Sequence, residues 1–141
     1  MKKMKQSMVS IFAVFLIASS AFAALGDNSD RIEDLYGTIA QRRLRDDGTV
    51  SVVYVKGRYL YLVTFANDRS ISESYSHVNG TDLSEREITK FLKANGVKWL
   101  PVNSSVDRRF KSSDGTAEAI YAPVNGRQAL TVRGLHDDHR R

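Results

Sequence analysis

Apolar and polar residues alternate with two different periods along this chain, and the change of period marks its elements. "TVSVVYV", Lys56-Gly57 and "RYLYLVTFA" form two β-rich runs around a glycine-containing turn, which predicts a hairpin. A turn centred on Lys56-Gly57 sets Val55 against Arg58, Tyr54 against Tyr59, Val52 against Tyr61 and Val50 against Val63. The last three pairs share one face with Phe65. Ser51, Val53, Val55, Leu60, Leu62 and Thr64 occupy the other. "NDR" at 67–69 then turns the chain into "RSISESYSHV", where serine recurs at 70, 72, 74 and 76. A period of two predicts a strand with one hydroxyl-rich face. A three-residue turn at 67–69 places Phe65 opposite Ile71 and Tyr61 opposite Tyr75, with the serines beside Thr64, Leu62 and Leu60. A one-residue slip would exchange the two faces.

The helical period appears twice. In "DRIEDLYG", Ile32, Leu35 and Tyr36 fall on one helical face and Gly37 is the stop. "TIAQRRLRDDG" continues the helix or forms a loop and short strand, ending at Asp46-Asp47-Gly48. The second helix, at 84–95, has the stronger signature. Ser84 and Glu87 predict a capping box, and Leu83 and Ile88 a hydrophobic staple. Ile88, Phe91 and Leu92 make its apolar face, and Gly96 ends it. Trp99 closes one end of the core.

A second meander follows. "VDRRFKSS" turns at Asp114-Gly115 into "TAEAIYA", and Asn125-Gly126 leads into "RQALTVR". The register sets Lys111 against Glu118 and Glu118 against Arg133, a row of alternating charge. Phe110, Ala119 and Val132 share the opposite face with Tyr121 and Leu130. Each half reads as a helix followed by three strands, an internal repeat about 55 residues apart. The expected fold is α+β: antiparallel meanders of about six strands packed on two helices in helix-βββ-helix-βββ order.

The first 23 residues stand outside that fold. Lys2, Lys3 and Lys5 precede the apolar run "MVSIFAVFLIASS", and Ala21-Phe22-Ala23 follows as a small-x-small cleavage site. This is the order of a secretory signal peptide. The expectation is a signal at 1–23, one domain over 24–141 with a flexible tail from about 134, and export to the periplasm or medium. Membrane association is expected only through the first segment, if it stays uncleaved. Its three lysines account for most of the formal charge of +5: the remainder has 18 Lys and Arg against 16 Asp and Glu. Basic charge is therefore poor evidence for nucleic acid, and no nucleic-acid partner is expected. The chain has no cysteine, which excludes disulfides, thiol nucleophiles and zinc–thiolate sites.

Leu35, Gly37, Tyr54, Val63 and Phe65, in the order helix, "LYG", hairpin, "LVTF", turn and strand, resemble small exported α/β modules of bacteria over residues 30–78. The outer-membrane lipoprotein SmpA/OmlA family and the β-lactamase-inhibitor-protein fold share a helix ending in glycine that leads into an antiparallel meander. "SEREITKFLKANGVKW" is similar to other small exported bacterial proteins. The lipid-bearing cysteine of the first family is missing here. The resemblance implies a binding module.

Candidate chemistry is sparse. No G-x-S-x-G, P-loop or dinucleotide glycine pattern occurs. Ser74 and Ser76 stand on the opposite strand face from His77, so no Ser–His pair is expected. Glu73 alternates with Ile71 and Tyr75 on a half-apolar face. Burial would raise its pKa, or it is an inward charge that protects an edge strand from aggregation. His136, Asp137 and His139 are metal-ligand types in a terminal tail that lacks a supporting shell. Tyr54, Tyr59, Tyr61, Phe65 and Tyr75 are core, or a stacking platform if left uncovered. No catalytic residue, metal or cofactor is expected. The expected function is a non-enzymatic binding or envelope accessory module, inhibitors included, with a protein or envelope-polymer partner. Its candidate partner surface is Val53, Val55, Leu60, Leu62, Ser72, Ser74 and Ser76. The alternatives are a small hydrolase of envelope polymers using Glu73 or His77, and a purely structural exported protein.

Overall fold

Two capping groups set the limits of the first helix in a computed structural model of the chain, which describes residues 25–96 and 98–135. The Asn28 side chain accepts from the Arg31 N–H at the start of α1 (Ser29–Tyr36), and Gly37, at φ 75°, ends it. α1 buries Ile32 and Tyr36. α2 (Glu85–Ala94) carries the expected capping box in full and buries Ile88, Phe91 and Leu92. The signal-peptide segment and the His136, Asp137 and His139 group lie outside the described residues.

The strands are β1 (Ile39–Leu44), β2 (Val50–Lys56), β3 (Tyr59–Ala66), β4 (Arg69–His77), β5 (Trp99–Val102), β6 (Arg108–Ser112), β7 (Ala117–Val124) and β8 (Arg127–Gly134). They form one antiparallel sheet in the order β1-β2-β3-β4-β8-β7-β6-β5. This corrects the expected helix-βββ-helix-βββ domain of about six strands. Among the described residues the fold is sheet-rich, with a single eight-stranded sheet and two short helices. The two strands beyond the expected six are its edges, β1 in the segment left open between helix and short strand, and β5. β1 is exposed along its whole length, so it shows no alternation of burial. β5 contains Pro101, which lacks a ladder donor and is tolerated at an edge. Gly134, where the tail was expected to begin, still belongs to β8.

Each half is a helix followed by a four-stranded meander, and the halves meet where β4 pairs with β8. Strands starting at Val50, Tyr59 and Arg69 have counterparts starting at Arg108, Ala117 and Arg127, each pair 58 positions apart.

The first hairpin turns one residue later than expected. Lys56 faces Tyr59, Tyr54 faces Tyr61 and Val52 faces Val63. The register thus shifts by two residues, and every side chain keeps its expected face. The next turn is Asn67-Asp68, both at positive φ (49° and 57°), two residues rather than three. A bulge beside Phe65 absorbs the difference: Phe65 faces Ser70, not Ile71, while Tyr61 still faces Tyr75. The second meander has the expected register, with Lys111, Glu118 and Arg133 in one row.

Both helices pack on the same face of the sheet. Tyr36 of α1 stacks on Tyr61 at 4.0 Å between ring centroids, and Phe91 of α2 stacks on Tyr75 at 4.3 Å. Tyr61 and Tyr75 meet edge to face at 5.8 Å and join the two stacks. Val63, Ala119, Leu130 and Val132 complete this single core.

Candidate functional site

Among the described residues, no helix lies over the opposite face of the sheet. Its composition follows from the strand register. One row across the sheet runs Arg43, Ser51, Thr64 and Ser72, and continues on the second meander as Arg133, Glu118 and Lys111. The next row runs Gln41, Val53, Leu62 and Ser74, then Thr131, Ile120 and Arg109. A third holds Val55, Leu60 and Ser76. Apolar side chains are thus concentrated on β2 and β3, hydroxyls on β4, and cations on β1, β8 and β6.

A groove of about 780 Å³ is cut into this face. Val53, Leu60, Leu62, Ser74, Ser76 and Ala129 form its floor. Arg43 and the β1–β2 hairpin from Leu44 to Asp47 form one wall, and Val124, Asn125 and Arg127 form the other. Val53, Leu60 and Leu62 are half-buried and stay outside the core cluster. Of the seven sequence-predicted surface residues, the structure brings five into the groove. Val55 and Ser72 lie on the same face beyond its lining. Ser74 and Thr131, cross-strand neighbours, share a 2.7 Å hydrogen bond between their hydroxyls. The bulge carries Ser70 away from the row, so three serines rather than four share this face.

The walls were not foreseen. Arg43 and Arg45 belong to the segment left ambiguous between helix and strand. Asn125 and Arg127 come from a turn that was read correctly but could not be placed near Leu60 without the β4–β8 pairing.

The other candidates lie on the helix side. Tyr54, Tyr61, Phe65 and Tyr75 are buried core, and Tyr59 packs against it. The stacking-platform reading is therefore corrected: the aromatic rings face the helices. The edge-strand reading of Glu73 is also corrected, because β4 is a central strand between β3 and β8. Glu73 is 0% exposed. Its Oε2 accepts a 2.5 Å hydrogen bond from the Tyr75 hydroxyl and a longer one, 3.4 Å, from Tyr36. Burial pushes its pKa up to about 7, although the two tyrosine hydroxyls act to lower it.

His77 lies on the same side as Glu73, and both of its ring nitrogens are occupied. Nε2 is 2.7 Å from Glu87 Oε2, and Nδ1 is 2.8 Å from the Thr81 hydroxyl. Tyr59 donates its hydroxyl proton to the same Glu87 oxygen. Burial acts to raise the Glu87 pKa, but hydrogen bonds from Tyr59, Ser84 and His77 together hold it down at about 2. This cluster ties β3 and β4 to the N-terminal turn of α2. Ser74 and Ser76 are on the far face, as the alternation required. Among the described residues, no group of three or more His, Asp or Glu side chains could hold a metal ion.

No protein-family model matches this chain, and no curated protein matches it. Among solved structures, it is similar to a cysteine-rich secretory protein from Staphylococcus aureus subsp. aureus Mu50, with a TM-score of 0.46 and 13% identity. The match covers 81% of this chain and 45% of that one, so the chain spans less than half the length of that protein.

Proposed function

We propose that this protein is an exported, non-enzymatic binding module that holds its partner on the uncovered face of the sheet. One observation carries the reading: Val53, Leu60 and Leu62 form the half-buried floor of a walled groove on a face that neither helix covers. A recessed apolar floor with a polar rim is the anatomy of a binding surface. Export rests on the charged, apolar and small-residue order of the first 23 residues. The resemblance of residues 30–78 to small exported bacterial modules is in keeping with it. The hydrolase alternative has less support. An acid or base must come within hydrogen-bond reach of its substrate, and Glu73 has no exposed surface.

Site-specific photo-crosslinking tests the reading. A photoreactive side chain at position 62, in the full chain expressed in an exporting host, is expected to give a discrete adduct. The same group at position 86, on α2, is expected to give none. Leu60→Ser with Leu62→Ser is expected to leave a cooperative melt and to abolish adducts from a photoreactive side chain at position 53. A double variant that unfolds would assign the leucines to the core. A folded one that keeps its adducts would move the site elsewhere.

A further inference from the structure

We propose that the groove takes an acidic segment of another protein, one that sets an apolar side chain on the floor and its carboxylates against the surrounding guanidinium groups. The inference rests on the reading of the open face as a partner site.

Charge is the first argument. Strand residues on this face supply five cations, Arg43, Arg109, Lys111, Arg127 and Arg133, and one carboxylate, Glu118. Glu118 is already engaged by Arg133 in an ion pair. Arg45 adds a sixth cation from the β1–β2 hairpin, next to Asp46 and Asp47. Asp47 is turned to its own loop, where it accepts from the N–H and hydroxyl of Thr49 at 2.9 and 2.6 Å. Arg127 Nη1 donates to the carbonyls of His77 and Val78, which holds that charge at the groove wall. Arg109 is paired with Asp107 and Arg133 with Glu118, so the excess positive charge of this face comes from Arg43, Arg45, Lys111 and Arg127 against Asp46 and Asp47. Such a field favours an acidic partner and speeds its approach.

The floor selects the class of partner. Ser74 and Ser76 on β4 lie beside Leu62 and Leu60 on β3, with Val53 on β2 beyond. An acyl chain brings at most one anionic headgroup, against three guanidinium groups, Arg43, Arg45 and Arg127, on two opposite walls. A peptide supplies both apolar side chains and amide groups. A bilayer surface is a poorer fit, because the apolar groups lie recessed between two walls rather than standing proud of them. An anionic glycan would leave the apolar floor unused, and the aromatic rings it would stack on are buried on the other face.

The test uses a random-peptide display library selected on the purified protein. The probes are the most enriched peptide, made synthetically, and a matched peptide with lysine for each acid. The expected result is enrichment of Asp and Glu flanking Leu, Ile or Phe. Arg43→Glu with Arg45→Glu is expected to weaken the acidic peptide about tenfold or more, and added salt to weaken it further. Leu60→Ser with Leu62→Ser is expected to abolish binding. If that variant binds the peptide normally, the open face is not the site, and the proposed function falls with this inference. If it abolishes binding while the lysine peptide binds equally well, or the charge reversal has no effect, only the acidic assignment is overturned. Failure to enrich any peptide, or tight binding to phosphatidylglycerol vesicles instead, also overturns it.

Discussion

The Tyr75 hydroxyl donates a 2.5 Å hydrogen bond to the Glu73 carboxylate, two residues earlier on the same central strand. Tyr75 also accepts from the Asn95 side chain at 2.8 Å. Asn95 in turn takes the Leu25 N–H at 3.0 Å. A buried acid is thereby linked through one ring to the end of α2 and the start of the described chain.

Glu73 makes stability depend on pH near neutrality. Its folded pKa is about 7, against an ordinary value of 4.5, because burial disfavours the carboxylate. Below pH ~4.5 the group is protonated in both states, and its contribution is fully present. As pH rises toward 7, the unfolded chain ionises first and stability falls, by about 3 kcal/mol in all. Glu73→Gln should flatten this decline and make the variant the more stable form at pH 8. Urea melts from pH 4 to 8 test it; parallel curves for the two proteins would contradict it.

Glu87 acts with the opposite sign. Its folded pKa of about 2 lies below the ordinary 4.5, so its contribution is present above pH ~4.5 and is lost as pH falls through 2. Glu87→Gln is expected to cost about 1 kcal/mol at pH 6 by weakening the capping box and the His77 contact. The deficit should shrink on acidification and vanish near pH 2. The summed contribution of Glu73 and Glu87 is therefore greatest near pH ~4.5. Thermal melts across that range would locate that maximum.

Phe91→Ala should be the most damaging single truncation. Phe91 stacks on Tyr75 and meets Tyr59 edge to face at 5.4 Å, joining α2 to the sheet. The expected loss is about 3–5 kcal/mol by equilibrium denaturation. A loss under about 1 kcal/mol would mean that α2 is not held by this stack.

Trp99 caps α2 from the edge strand. Its indole N–H donates to the Leu92 carbonyl at 2.7 Å. Trp99→Phe removes that bond while keeping an aromatic ring and should cost about 1 kcal/mol. Earlier hydrogen exchange in the last turn of α2 is the specific readout.

The local half of the fold was legible. Ser84 and Glu87 announced α2 because a capping box is satisfied within four residues. Leu60, Leu62, Ser74 and Ser76 were placed on one face because side-chain direction alternates with a period of two, and a two-residue register error leaves it intact. β1 was left open between helix and short strand and β5 was not expected, because an edge strand has only one paired neighbour and, here, no regular buried face. Glu73 was recognised as unusual; the reading of a raised pKa holds and the edge-strand reading falls, because whether a strand is central depends on which distant strand pairs with it.

What the sequence determined by itself was which residues share a face, where α2 begins, and the turn that joins β7 to β8. Each depends on backbone chemistry within a few positions. Only the tertiary structure decided which face the helices would cover. Tyr36 and Phe91 bury the tyrosine side because aromatic area removed from water outweighs the smaller gain available over serines and leucines. The pairing of β4 with β8 then set Asn125 and Arg127 opposite Arg43 and Arg45. A stretch of alternating serines thereby became part of the floor of a groove.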